Sequence, residues 1–210
     1  MNVRFIFLGM ARVSQEHLEA RRRQILEGAA RVFARDGFHG ASMQDVLRES
    51  GLSAGAVYRY FPSKDAMITA LATEVLGVVR AAFEPIAAAE RPNLPDDIVH
   101  ALDRVWSTLP YAPALLPHVW TETLRNQELS TVLQEGLGRL LDLWEALLAR
   151  YQRNGWMRGD VPPRDVARTL LACVQGFLLQ RVIFGEADVS ILANGLRGLM
   201  TLRQPGPTES

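Results

Sequence analysis

The sequence predicts an all-α protein, and three observations carry that prediction. Apolar residues recur every three or four positions nearly throughout, and no run alternates for long enough to make a strand. Glycine, serine and proline punctuate the pattern at intervals that suit about nine helices. The segment from 42 to 67, SMQDVLRESGLSAGAVYRYFPSKDAM, contains three helix starts in close succession, at Ser42, Ser53 and Ser63.

The first long helix is predicted over Gln15 to Asp36. Ile25, Ala29, Val32 and Phe33 fall on one stripe, and Gly37 supplies a left-handed stop. Residues 1–14 are expected to be a disordered extension, with a second methionine at Met10 opening a polar helical stretch. Ser42 starts the next helix, where Asp45 at the third position completes a capping box. Gly51 ends it. Ser53 caps a third helix of about two turns, anchored by Val57 and Phe61 at i, i+4 spacing. Pro62 stops it, and Ser63 opens a fourth helix running to Ala82. Short helix, glycine-bearing turn and second short helix make a helix-turn-helix, so residues 15–63 are read as one three-helix domain.

The remainder, 64–203, is read as a second helical domain, with a disordered tail over 204–210. Six prolines between Phe83 and Pro117 divide its first part into a kinked helix end, a loop, a helix over 96–109 and another from 113. A long helix from Glu128 to Arg153 carries a leucine-rich stripe and ends at Asn154-Gly155. Pro162-Pro163 opens a very apolar helix to Phe184, and Asp188 caps a last one to Leu202.

Net charge is zero, but its distribution is uneven. Residues 1–64 hold ten basic and six acidic side chains; the rest holds thirteen and seventeen. A basic amino-terminal part joined to an acidic remainder points to two jobs, the first suited to a polyanion. Lys64 is the only lysine. The single Cys173 excludes an internal disulfide framework and fits a reducing cytoplasm. The longest apolar stretch, LLACVQGFLLQRVIFG, is broken by Gln175, Gln180 and Arg181, so no membrane span is expected. An enzyme would need a nucleophile–base pair, a metal set or a phosphate cradle. Four histidines, one cysteine and no HExxH or glycine-rich phosphate loop argue against one. His100 and Asp103 lie three apart without a second pair to complete a metal site, and no cofactor motif is present.

The third helix is too short and too weakly apolar to exist for packing alone. Ala54, Gly55 and Ala56 leave its first turn nearly bare, so the backbone can approach a groove edge or a phosphate. Tyr58, Arg59 and Tyr60 supply donors for phosphates and base edges, and Lys64 follows beside them.

The stretch RRRQILEGAARVFARDGFHGASMQDVLRESGLSAGAVYRYFPSKDAMITAL resembles the DNA-binding domain of the TetR family of bacterial one-component transcription regulators. The resemblance covers about residues 20–71. It rests on Phe33, Gly37-Phe38, Ser42, Gly51-Leu52-Ser53 and Tyr58-x-Tyr60-Phe61-x-x-Lys64 in family order. It implies that Ser42, Ser53, Tyr58, Tyr60 and Lys64 touch phosphates or start the helices that do. It also implies that Gln44, Ala54, Gly55, Ala56 and Arg59 face bases, and that Arg21, Arg22 and Arg23 grip the backbone or minor groove.

The same resemblance implies a regulatory and dimerisation domain, a homodimer on a palindromic double-stranded operator, and release by a small effector. Val166, Leu170, Val174, Phe177, Leu178, Ile191, Leu192, Leu196 and Leu199 make the last two helices more apolar than a lone surface helix allows, which suits a dimer interface. Phe83, His100, Trp106, Tyr111, His118, Trp120, Trp144 and Tyr151 are candidates for an apolar effector pocket. Any single one of these aromatics is more often core than pocket lining. A helix-turn-helix regulator answering to a protein partner, or to nothing, is the alternative.

Overall fold

The computed structural model describes residues 3–90, 94–185 and 188–200. Among these, the chain forms nine helices and no strand. They are α1 (Val3–Gly40), α2 (Met43–Ser50), α3 (Ala54–Tyr60), α4 (Lys64–Ala88), α5 (Leu94–Thr108), α6 (Ala112–Thr123), α7 (Gln127–Arg153), α8 (Pro163–Phe184) and α9 (Val189–Met200). The tail over 204–210 lies outside the described residues.

Three boundaries differ from the sequence reading by more than two residues. α1 begins at Val3, ahead of Gln15, within the stretch expected to be an extension. No proline interrupts that stretch, and its one internal glycine, Gly9, weakens a helix without ending it. Gly37 does break α1, with φ 73° and ψ 163°, but a further turn to Gly40 follows the break. α4 runs through Pro85 to Ala88 instead of stopping at Ala82. Arg104 on α5 donates to the Ala82 carbonyl at 2.6 Å, and Arg150 on α7 donates to the Ala89 carbonyl at 2.7 Å. These guanidinium contacts lie on either side of the proline, where α4 has lost a backbone donor.

The local chemistry of the short helices matches expectation. The Ser42 hydroxyl accepts from the Asp45 amide, and the Asp45 carboxylate accepts from the Ser42 amide at 3.0 Å. Gly51 closes α2 in the left-handed conformation, φ 68°. Ser53 accepts from the Ala56 amide, and Ser63 from the Ala66 amide at 3.1 Å.

The contacts divide the chain into two compact units. The first extends to Thr73, beyond the boundary predicted at 63, and includes Pro117–Ser130. Its core is built from Ile25, Leu26, Ala29, Val32 and Phe33 of α1, Val46 of α2, Val57 of α3, Phe61, and Met67, Ile68 and Leu71 of α4, all buried. Each large side chain buried in this way contributes about 1.5–3 kcal/mol of hydrophobic stabilisation. The second unit comprises Glu74–Leu116 and the chain from Thr131 onward. Its core joins Phe83 and Ile86 to Ile98, Leu102 and Val105 of α5, Leu140, Trp144, Leu147 and Leu148 of α7, Leu170, Val174 and Phe177 of α8, and Leu192 and Leu196 of α9.

By length and composition alone, α4 and α8 are each sufficient to cross a bilayer. α8 runs on through Gln175, Gln180 and Arg181, the residues expected to break its apolar run, and stays mostly apolar across them. Burial of Met67, Ile68, Leu71, Ala82, Phe83 and Ile86 accounts for the apolar character of α4 as core.

Candidate nucleic-acid interface

α3 owes its position to its flanks. Val57 and Phe61 bury its inner side, which leaves Ala54, Gly55, Tyr58 and Arg59 exposed on the outer side. Ala56 and Tyr60 are half-buried. Gln44 on α2 and Ser53 at the start of α3 are exposed. A Cβ added at Gly55 would meet nothing within 4 Å, so the first turn is open to an incoming surface. Gln44 and Arg48 of α2 and Tyr58 and Arg59 of α3 are exposed long polar side chains, and Arg48 is paired with Asp45.

Ser42 is exposed, but its hydroxyl donates to the Asp45 carboxylate at 2.6 Å. That bond, followed by the one from the Ser42 amide, holds the Asp45 carboxyl below the usual carboxylate range. Arg48 also pairs with Asp45. The three arginines near the start of the domain fare differently. Arg21 is half-buried and donates to the Gln24 side chain at 2.9 Å. Arg22 is exposed, with its guanidinium 5.4 Å from the centre of the Phe61 ring. Arg23 is exposed.

Lys64 is held by backbone carbonyls. Its half-buried ammonium donates to the carbonyls of Phe38 at 2.7 Å and Ala41 at 2.8 Å, and stands 4.7 Å from the centre of the Phe38 ring. It points into the protein at the junction of α1 and α2.

Several supporting residues escaped the sequence reading. Gln24 donates to the Ser50 carbonyl at 2.8 Å, and Gly28 lets α1 approach Ser50 closely. Arg31 pairs with Glu49 at 2.7 Å, tying α1 to α2 and lowering the pKa of the Glu49 carboxyl. The buried Glu122 faces His39 at 3.5 Å, and Arg125 approaches the same ring nitrogen at 3.4 Å. His118 lies beside Gly37. A glycine within an apolar helical stripe, as at Gly28, was the one available sequence signal.

The effector candidates separate. His118 and Trp120 belong to the first unit, so they are not part of the second unit's core. Phe83 and Trp144 are each 4% exposed and pack against one another with ring centres 5.1 Å apart. Tyr151 is buried, and desolvation raises the pKa of its phenol. Trp106 is half-buried under the Arg181 guanidinium at 4.2 Å, Tyr111 is half-buried, and His100 is exposed.

The interface candidates separate too. Leu170, Val174, Phe177, Leu192 and Leu196 lie in the second unit's own core. Val166 and Leu178 are half-buried. Ile191 and Leu199 are exposed at 58% and 61%, joined by Val182, Ile183, Phe184 and Met200. The helices carry two apolar stripes, and periodicity alone did not say which one the chain covers itself.

The family model for "Bacterial regulatory proteins, tetR family" matches residues 25–71, the segment holding α2, α3 and the start of α4. The likeness extends well beyond it. Over 193 residues the chain is 30% identical to the HTH-type transcriptional regulator YfiR of Bacillus subtilis (strain 168), covering 89% of this chain and 93% of that one. Over 187 residues it is 34% identical to the HTH-type transcriptional repressor Rv1474c of Mycobacterium tuberculosis (strain ATCC 25618 / H37Rv), covering 84% and 90%. The chain belongs to the TetR family.

Among solved structures, Salmonella enterica GusR superposes on this TetR-family chain with a TM-score of 0.70 at 27% identity, over 87% of this chain and 96% of that one. The regulator FadR from Bacillus subtilis, solved in complex with stearoyl-CoA, shares the fold with a TM-score of 0.70 at 19% identity, over 85% and 96%. The TetR-family chain is therefore a DNA-binding transcription regulator and not an enzyme.

Proposed function

We propose that this regulator acts in the cytoplasm as a homodimeric repressor. It binds a palindromic operator and leaves it when a small, mostly apolar effector occupies the second unit. The observation that carries the dimer is the uncovered apolar surface of α8 and α9. Ile183, Phe184, Ile191, Leu199 and Met200 are all exposed in the single chain, and a soluble monomer rarely leaves such a patch in water. Two recognition helices joined in this way can enter successive major grooves about 34–36 Å apart. The name of Rv1474c as a repressor supports the sign of regulation, and stearoyl-CoA bound to FadR supports an apolar effector. The mutual packing of Phe83 and Trp144 favours a second reading, in which that part of the unit is simply filled core and no small molecule is needed.

The test begins with sedimentation of wild type and an Ile191→Glu, Leu199→Glu double variant. Wild type should be a dimer protecting two half-sites in a footprint, and the variant a monomer that protects neither. A monomeric wild type would end the proposal. Acyl-CoA thioesters and apolar aromatics are then screened for loss of the footprint. Absence of release across the screen would leave the ligand-free reading standing.

A further inference from the structure

We infer that Lys64 is a positioning residue for DNA recognition and not a phosphate contact. The inference rests on residues 42–63 being the DNA-binding motif. Lys64 is the first residue of α4, and its two hydrogen-bond acceptors belong to the connection that ends in Ala41, immediately before the α2 cap at Ser42. The whole motif, α2, the Gly51 turn, α3 and Pro62, therefore lies between the two ends of one bond. The ammonium closes the helix-turn-helix at its root.

The chemistry suits this role. The carbonyls at the end of a helix lack intrahelical donors and attract a cation. Gly37 breaks α1, and its own carbonyl is taken by the Ala41 amide at 3.1 Å, leaving Phe38 and Ala41 to be served by a side chain. A lysine ammonium has three donors in a compact head, enough for two carbonyls with the ring face of Phe38 beside it. Two of its three donors are committed to the backbone. Its loss would let the α1–α2 connection and the start of α4 move apart, and with them the angle of α3.

The test uses the full chain and two DNA probes: a duplex enriched from a random pool by the wild-type protein, and a scrambled duplex of the same composition. Lys64→Met keeps the stem and removes the charge. Dissociation constants are measured for both probes over a range of about 50–200 mM salt, together with the melting temperature. A positioning role predicts that binding to the enriched duplex weakens by about tenfold, the size of one lost charged hydrogen bond, while binding to the scrambled duplex and the salt slope stay unchanged. A phosphate contact would weaken both probes equally and reduce the slope by about one. A merely structural role would lower the melting temperature and leave both constants unchanged at 10 °C. Either of these overturns the inference. Should Lys64→Met not fold, Lys64→Arg keeps the charge but replaces the compact head with a flat fork. It should still lose part of the discrimination, and wild-type discrimination in it would overturn the inference. Failure of the wild type to enrich any duplex would instead sink the DNA reading beneath it.

Discussion

Leu76 of α4 occupies the space that a side chain at Gly136 of α7 would need. A Cβ at Gly136 would overlap Leu76 Cδ1 and lie 3.0 Å from Cδ2 and 3.1 Å from Cγ. The leucine is a knob seated in a notch that exists because position 136 has no side chain. Gly138, two residues on, meets nothing within 4 Å, so the requirement is specific to one point on α7.

Gly136→Val is therefore expected to destabilise the protein by about 1–3 kcal/mol through overpacking. Gly136→Ala gains up to about 1 kcal/mol of helix propensity, which offsets part of the same clash. In a Leu76→Ala background the notch is empty, and Gly136→Ala should become stabilising. Urea denaturation of the four combinations measures the coupling. Additive effects would show that the two residues do not share the space.

A second glycine sits at a helix crossing in the first unit. A Cβ on Gly28 would stand 3.2 Å from the N, Cα and Cβ atoms of Ser50. Backbone cannot rotate aside as a side-chain tip can, so Gly28→Ala should lower stability by about 1–2 kcal/mol even after its gain in helix propensity. Operator affinity should fall with it, because Gln24 reaches the Ser50 carbonyl at the same crossing. An increase in melting temperature would contradict this account.

The α2 cap titrates. With its folded pKa below the unfolded value of about 3.9, Asp45 contributes stability above that value, and the contribution is lost as pH falls through the folded pKa. Asp45→Asn should therefore be less stable than wild type at neutral pH, with the two converging as pH falls from the unfolded value through the folded pKa. A gap of constant size across that range would mean the charge of the carboxylate is not what the cap uses.

Readout by the motif is expected to divide between one long side chain and one bare surface. Gln44→Ala should relax preference at one base pair per half-site, at about 1–3 kcal/mol. Gly55→Ala should leave stability unchanged or raised, since its methyl meets nothing in the protein, yet weaken operator binding by crowding the groove. Selection of preferred duplexes with each variant separates the two effects. An unchanged preference profile for Gln44→Ala would leave DNA shape as the carrier of specificity.

The punctuation of the helix-turn-helix was legible in the sequence because capping is local. Ser42 and Asp45 satisfy each other across three residues, and Gly51 and Gly37 answer a backbone conformation that only their own position demands. The exposed side of α3 was legible for the same reason, since Val57 and Phe61 define its opposite face by spacing alone.

What only the tertiary structure decided are the partners that no periodicity encodes. The carbonyl partners of Lys64, those of Phe38 and Ala41, lie across the whole motif from it. Ser50 opposite Gly28, and Leu76 opposite Gly136, depend on where two helices cross. On α8 and α9 the sequence marked both apolar stripes. Packing alone chose Val174, Phe177, Leu192 and Leu196 for the unit's own core and left Ile191, Leu199 and Phe184 in solvent. Hydrophobicity records that a side chain avoids water, and carries no record of which surface will cover it.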